Sequence, residues 1–287
     1  MTPKDSPAPS ATMKNAPSKL RRSVIVGVAA ILSLLFVHHV LTGILSRFLF
    51  HPSRDEGDEI ARVAERVEYV TSDGVRIRSW LVRSRTPRRR TVVYFHGNGG
   101  LAAGSSHWGQ WLAERGSDVL LAEYRGYGAS EGEPSAAGIE RDAEAAIHYL
   151  LDVEHVPSRE LVVHGQSLGG AAAIAALAGP ARDAAGGVIE SSFTSLHDMG
   201  RAVLGIPLTY VVSDAYHLNN LARAGEVRAP ILQLHGDADD LIPFAQGRRL
   251  SEGLRSRRFV TIEGGLHNLA SPRVPDEVQR FLEEVAP

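Results

Sequence analysis

The distribution of apolar positions divides this chain into two regimes. From Val24 to Leu45 it is apolar almost without interruption and carries no Asp, Glu, Lys or Arg. Such a stretch predicts a helix long enough to cross a hydrocarbon core, which takes about 20 residues. His38 and His39 are its polar exceptions, and they fall toward the far interface, where neutral imidazoles are tolerated. Downstream, the apolar runs become short. Arg66, Val67, Glu68 and Tyr69 alternate, as does VRIRSWLV (75–82), and the two stretches flank Ser72-Asp73-Gly74, a hairpin turn signal. TVVYFHG (91–97), DVLLAEYRG (118–126), ELVVHGQ (160–166), GGVIESSF (186–193), APILQLHG (229–236) and RRFVTIEGG (257–265) follow as candidate strands.

Helix-length segments lie between these runs: Ser106–Arg115, Ser135–Val153, Ser167–Leu177, Phe244–Leu254 and Pro275–Val285. Continuous Val/Ile/Leu runs indicate strands buried on both faces. Their alternation with helices predicts a mostly parallel central sheet with right-handed crossovers and helices on both sides. Residues 194–228 break the rhythm, and LGIPLTYVV and NNLARA within them predict a small cap-like insertion after the sixth strand. The expected organisation is a disordered basic segment (1–22), a transmembrane helix (23–47), a linker (48–62) and an α/β domain (63–287).

Charge sets the expected orientation. Lys14, Lys19, Arg21 and Arg22 precede the apolar span and only Arg47 closely follows it, so the N-terminus is expected in the cytoplasm and the large domain outside it, periplasmic or luminal. No small-x-small cleavage site stands between Val37 and Phe50, which favours an uncleaved signal-anchor. A net charge of −2 leaves no electrostatic footprint for nucleic acid. The basic run RSRTPRRR (83–90) reads as a solvated hairpin loop. Cysteine is absent, so no disulfide framework or thiolate metal site exists.

In an open parallel sheet, ligands gather outside the carboxyl ends of the strands. The unusual residues fall there: His96-Gly97-Asn98-Gly99-Gly100, Gly165-Gln166-Ser167-Leu168-Gly169-Gly170, His235-Gly236-Asp237-Ala238-Asp239 and Gly264-Gly265-Leu266-His267-Asn268. The Gly-x-Ser-x-Gly pattern occurs twice, and context separates the copies. Ser167 joins a buried strand directly to an alanine-rich helix, as a nucleophile elbow requires. Ser130, in Gly128-Ala129-Ser130-Glu131-Gly132, lies in a loop before Pro134. A serine hydroxyl needs a histidine to accept its proton and a carboxylate to orient that histidine. With the chain order serine, acid, histidine, His267 is the expected base, since His197 and His217 lie in the insertion. For the acid, Asp237, Asp239 and Asp240 share one loop, and Glu190, Asp198 and Asp214 follow the preceding strand; projection past the strand's turn favours Asp239. The expected oxyanion donors are the backbone N–H groups of Leu168, at a helix start, and Asn98. The Asp-rich loop lacks the glycine and distal glutamate of a calcium site, and no Gly-Lys-Ser/Thr follows Gly97-Asn98-Gly99-Gly100, so neither metal nor nucleotide cofactor is expected.

HGNGG, EYRGYGASEGEPS, VVHGQSLGGA, IESSFTSL, LHGDADDLIPF and GGLHN, in that order over about residues 63–285, resemble the α/β-hydrolases of the Bem46-like and ABHD13-like group. The resemblance implies the α/β-hydrolase fold, with Ser167 as nucleophile, Asp239 as acid, His267 as base and Asn98 and Leu168 as oxyanion donors. It also fits an N-terminal anchor. The expected function is a membrane-anchored serine hydrolase acting on a small-molecule ester, thioester or lipid. A serine peptidase, an acyltransferase or a non-catalytic tethered binding protein are the alternatives, since fold and triad recur across activities. Leu204, Ile206, Leu208, Tyr210, Val211 and Val212 would line an acyl-binding lid or simply pack on the sheet. Tyr124, Arg125 and Tyr127 are expected to brace the sheet's end more than to line the entrance.

Overall fold

The computed structural model describes residues 19–55, 59–205, 217–256 and 258–285. Contacts divide the chain into one unit ending at Leu41 and a second beginning at Thr42. Helix α1 runs Lys19–Leu49, so helix already begins inside the segment expected to be disordered. Val24, Ile25, Val26, Leu34 and Phe36 are all more than half exposed along it. Among the described residues, no helix is long and apolar enough to cross a membrane. Residues 1–18 lie outside the described residues, as do Ile206, Leu208, Tyr210, Val211, Val212 and Asp214 of the predicted insertion.

The second unit is built on one eight-stranded sheet, ordered β1-β2-β4-β3-β5-β6-β7-β8. The strands are β1 (Glu65–Val70), β2 (Arg76–Val82), β3 (Arg90–Phe95), β4 (Ser117–Ala122), β5 (Leu161–Gln166), β6 (Gly186–Glu190), β7 (Ile231–Gly236) and β8 (Arg258–Ile262). β1 and β2 form the predicted hairpin, with Gly74 at φ 84° supplying the left-handed turn position. β2 pairs antiparallel with β4, and every later pairing is parallel. Every residue of β3, β4, β6 and β7 is buried, as continuous apolar runs require. The basic loop after β2 is not a hairpin. It crosses over β4 to reach β3, because β2 and β3 never pair. Its last cation, Arg90, is buried at the start of β3 and donates to the Leu282 carbonyl.

Helices α2 (Ser106–Ala113), α3 (Ala136–His148), α4 (Leu168–Ala178), α7 (Phe244–Leu254) and α8 (Arg273–Glu284) stand close to their predicted places. The short α5 (Leu196–Leu204) and α6 (Asn220–Ala224) occupy the described part of the insertion. Side-chain alternation along the strands sorts the core into two faces. Val93, Phe95, Val163 and Ile189 pack with α3 and α4. Val92, Tyr94, Val162 and Val188 pack with α2 and α8 through Leu112, Val278 and Phe281. α4 is buried from Leu168 through Leu177, which explains its Ala/Gly composition, since larger side chains would hold it off the sheet.

The first residues of the expected linker belong to the second unit. Phe50 is buried in the larger core cluster, and Gly128 N–H donates to the Ser53 carbonyl at 2.8 Å.

Candidate active site

β5 ends in a turn that glycine makes possible. A Cβ on Gly165 would overlap the carbonyl of Gly169, and one on Gly169 would overlap that of Phe95. The close approach of β3, β5 and α4 therefore excludes side chains at both positions. Ser167 itself takes φ 55° and ψ −115°, a conformation that costs a non-glycine residue about 1–3 kcal/mol. Neighbours hold it there. Ser167 N–H donates to the Glu190 carbonyl at 2.8 Å, and its own carbonyl accepts from Ser192 Oγ at 2.9 Å. Held in this way, Ser167 stands at the N-terminal end of α4.

His267 arrives from the loop after β8. Its Nε2 lies 3.0 Å from Ser167 Oγ, and its Nδ1 lies 3.1 Å from Asp239 Oδ2 and 3.2 Å from Oδ1. The serine and histidine stand 100 residues apart in sequence, and the sheet's carboxyl edge brings them into hydrogen-bond contact. Ser167 is 8 % exposed and the His267 side chain 16 %, whereas the Asp239 side chain is fully enclosed. Burial opposes the Asp239 charge, but hydrogen bonds from His235, His267 and the N–H groups of Ile242 and Leu241 hold its carboxyl well below the usual carboxylate range. An ionised Asp239 accepts the Nδ1 proton of His267 and leaves Nε2 bare toward the serine.

The loop after β3 faces the nucleophile. A side chain on Gly97 would lie 3.5 Å from Ser167 Cβ. Asn98 is anchored on every side: its Nδ2 donates to the Leu49 carbonyl at 2.7 Å, and its Oδ1 accepts from His51 N–H at 3.2 Å and Tyr127 Oη at 2.9 Å. Tyr127 also donates to the Asn98 carbonyl, and Tyr124 to that of His96, both at 2.9 Å. Tyr124 and Tyr127 thus hold the loop after β3, where the expectation is that they brace the sheet's end. Leu168 opens α4, where first-turn N–H groups lack intrahelical acceptors.

The other candidates are engaged elsewhere. Asp237 accepts Gly264 N–H at 2.7 Å and ties the two loops together. Glu190 pairs with His164, His217 with Glu140, and Asp198 with Thr194 and the start of α5. Ser130 Oγ accepts Arg78 N–H at 3.0 Å and is 1 % exposed.

A family model described as serine aminopeptidase, S33 (Hydrolase_4) matches residues 86–218, a span that holds the elbow and ends before Asp239 and His267. The Escherichia coli protein YfhR is 32 % identical over 253 residues, covering 84 % of this chain and 87 % of the relative. Protein bem46 of Schizosaccharomyces pombe is 32 % identical over 192 residues, 63 % of this chain and 62 % of the relative. The chain belongs to the α/β-hydrolase family. Its fold is also that of the Pyrococcus furiosus esterase Pf2001, with a TM-score of 0.64 at 21 % identity over 82 % of this chain and 96 % of that one. The protein is an enzyme of the serine-hydrolase type.

One residue of this hydrolase's site escaped the sequence reading. His235, fully buried on β7, points Nε2 at Asp239 Oδ2 (3.2 Å) and at the Ile242 carbonyl (3.1 Å). Both neighbours accept, so Nε2 carries the proton, while Nδ1 is buried without a partner among the described residues. Asp239 therefore faces a second imidazole donor from behind, whose proton the Ile242 carbonyl shares. The four-residue spacing between His235 and Asp239 was the available signal.

Proposed function

We propose that this hydrolase cleaves carboxylic esters or thioesters through an acyl-enzyme on Ser167, with His267 as general base and acid and Asp239 as the orienting carboxylate. The observation that carries the reading is the unbroken chain Ser167 Oγ, His267 Nε2, His267 Nδ1, Asp239. His267 takes the Ser167 proton as Oγ attacks the acyl carbon. The tetrahedral oxyanion is received by the N–H groups of Leu168 and Asn98. Its collapse expels the alkoxide or thiolate, which takes the proton from His267 Nε2. Water then attacks the acyl-enzyme with His267 again as base, releasing the acid and restoring Ser167.

Two exposed leucines support an apolar substrate. Leu241 is 45 % exposed two residues past the acid, and Leu266 is 58 % exposed beside the base. Purified full-length protein in detergent should take one fluorophosphonate group, located by peptide mass to Ser167, and hydrolyse p-nitrophenyl esters. Labelling at any other serine would overturn the assignment. The serine-aminopeptidase description of the matching family model supports peptide cleavage as a second reading. Aminoacyl p-nitroanilides turned over faster than the matched esters would select it.

The reading extends to location. We infer from the sequence alone that the charge-free run Val24 to Leu45 anchors the chain in a bilayer, with its basic N-terminal flank in the cytoplasm and the catalytic unit on the other side. The flanking bias of Lys and Arg supports that orientation. A reporter fused after Pro287 should work only outside the cytoplasm, and reporter activity in the cytoplasm would refute the orientation.

A further inference from the structure

On the α2/α8 face of the sheet lies a cavity of about 520 Å³ that borders both arms of the site without including either reactive atom. Gln166 precedes the nucleophile, and Asn268 and Leu269 follow the base; all three line the cavity, whereas Ser167 and His267 do not. Trp108 and Tyr94 form an aromatic wall, and Glu190 is the acidic residue in the lining. The Glu190 side chain is 9 % exposed.

Among the described residues the Glu190 carboxylate is met by His164 and by no Lys or Arg, and the basic side chain in the cavity lining is His107. Its Oε1 accepts from His164 Nε2 at 2.7 Å, while His164 Nδ1 accepts the indole N–H of Trp108 at 3.4 Å. An indole nitrogen only donates, so Nδ1 is bare and the imidazole proton sits on Nε2. His164 is then a neutral donor. Among the described residues no Lys or Arg lines the cavity either. A carboxylate taken out of water without a cation is costly, and a cation entering the cavity removes that cost. Trp108, stacked on Trp111 at 4.8 Å between centroids, offers an aromatic surface to the rest of such a ligand.

We propose that this cavity is a second binding site, for a small organic ammonium ion with an apolar or aromatic body. The ammonium pairs with Glu190 and the body lies against Trp108 and Tyr94. Because the Glu190 carbonyl also accepts the Ser167 N–H, the ligand sits one residue from the nucleophile yet does not compete for its hydroxyl.

The test uses full-length protein in detergent, with phenethylammonium chloride as probe and 2-phenylethanol as its neutral counterpart, read by tryptophan fluorescence and saturation-transfer NMR. Phenethylammonium should bind saturably and more tightly than the alcohol by about tenfold or more, as a hydrogen bond to a charged group allows. Glu190→Gln should weaken the amine by a similar factor and leave the alcohol unchanged. Absence of saturable binding, or equal affinity for amine and alcohol, overturns the proposal. The alcohol comparison needs no variant and decides the matter even where Glu190→Gln fails to fold. Protein capped at Ser167 by a fluorophosphonate should bind the amine as before, and loss on capping would place the amine in the catalytic site instead. That last arm rests on the catalytic reading of Ser167, whose failure shows separately as a missing mass increment.

Discussion

Gly128-Ala129-Ser130-Glu131-Gly132 and Gly165-Gln166-Ser167-Leu168-Gly169 share one pattern and use it in opposite ways. In the first, the glycines take the left-handed backbone, at φ 50° for Gly128 and 79° for Gly132, and the serine does not. In the second, neither glycine has positive φ and the serine does, at 55°. The first turn thus places unusual geometry where it is nearly free. The second places it on the residue proposed as nucleophile, and uses its glycines for close backbone approach instead. The serine hydroxyls follow suit. Ser130 Oγ is spent on the Arg78 N–H, whereas Ser167 Oγ meets an imidazole whose other nitrogen faces an enclosed carboxylate. A pattern match reports residue types; which residue carries the strain reports function.

The largest expected effect tests that contrast directly. Ser167→Ala should lower kcat on p-nitrophenyl esters by on the order of 10⁶, and His267→Ala by about as much, because triad members act as a unit. Asp239→Ala should cost about 10⁴. Residual turnover within about tenfold of wild type in either of the first two would place the chemistry elsewhere. A backbone comparison comes next. Gly169→Ala drives a methyl into the Phe95 carbonyl, which no rotamer relieves, so its cost should exceed about 4 kcal/mol. Gly132→Ala meets only left-handed strain and the Val75 side chain, and should cost about 1–2 kcal/mol. Equal urea midpoints for the two variants would mean that the elbow glycines are not packing positions.

Much of this was legible in the chain. The Val/Ile/Leu runs that became β3 to β7 announce burial on both faces, whereas β8 at the sheet's edge is only partly buried, and the helix over Phe244–Leu254 stands at its predicted bounds. Ser167, Asp239 and His267 were legible because each follows a strand, and parallel topology delivers every such end to one edge. Lateral order was not legible. Alternation says which face a side chain takes but not which strand lies beside it, so the crossover of Arg83 to Arg89 over β4 read as a hairpin. Buried polar pairs were hidden for a related reason. His164 with Glu190, and His235 with Asp239, look like single polar positions until the sheet aligns them. The segment from Leu49 to Ser53 read as a linker because its bonds to Asn98 and Gly128 join residues far apart in sequence.

His235 sharpens the comparison, since Ser130 has no equivalent support. His235→Leu removes a donor from the carboxylate, and a hydrogen bond to a charged group is worth about 1.5–3 kcal/mol. Expressed in the transition state, that is a fall of about 10- to 100-fold in kcat with KM unchanged. His235→Gln, whose amide still donates, should recover part of it. The same variant has a pH signature. Asp239 is held below its ordinary value of 3.8, so the stability it contributes is present above that pH and fades on acidification through the lower folded value. In His235→Leu the carboxyl rises and the fading begins at higher pH. A wild-type kcat with an unchanged profile of Tm against pH would make His235 a packing residue only.

Ser130→Ala should produce the smallest effect, and its kind matters more than its size. The hydroxyl is buried and accepts the Arg78 N–H, and Arg78 on β2 also donates from its guanidinium to the Ala129 carbonyl at 2.6 Å. Deleting Oγ leaves a backbone donor without its acceptor, which costs about 1–3 kcal/mol. The guanidinium contact keeps the turn seated, so the loss should fall at the low end and appear as a lowered urea midpoint. The folded fraction should still take a fluorophosphonate at wild-type rate, because the Ser130 hydroxyl is bonded to β2 and the backbone bond of Ser130 to Tyr127 survives the substitution. A variant with normal stability and no labelling would invert the roles of the two turns. Lowered stability with full labelling would confirm that the first copy of the pattern serves the sheet and the second serves the reaction.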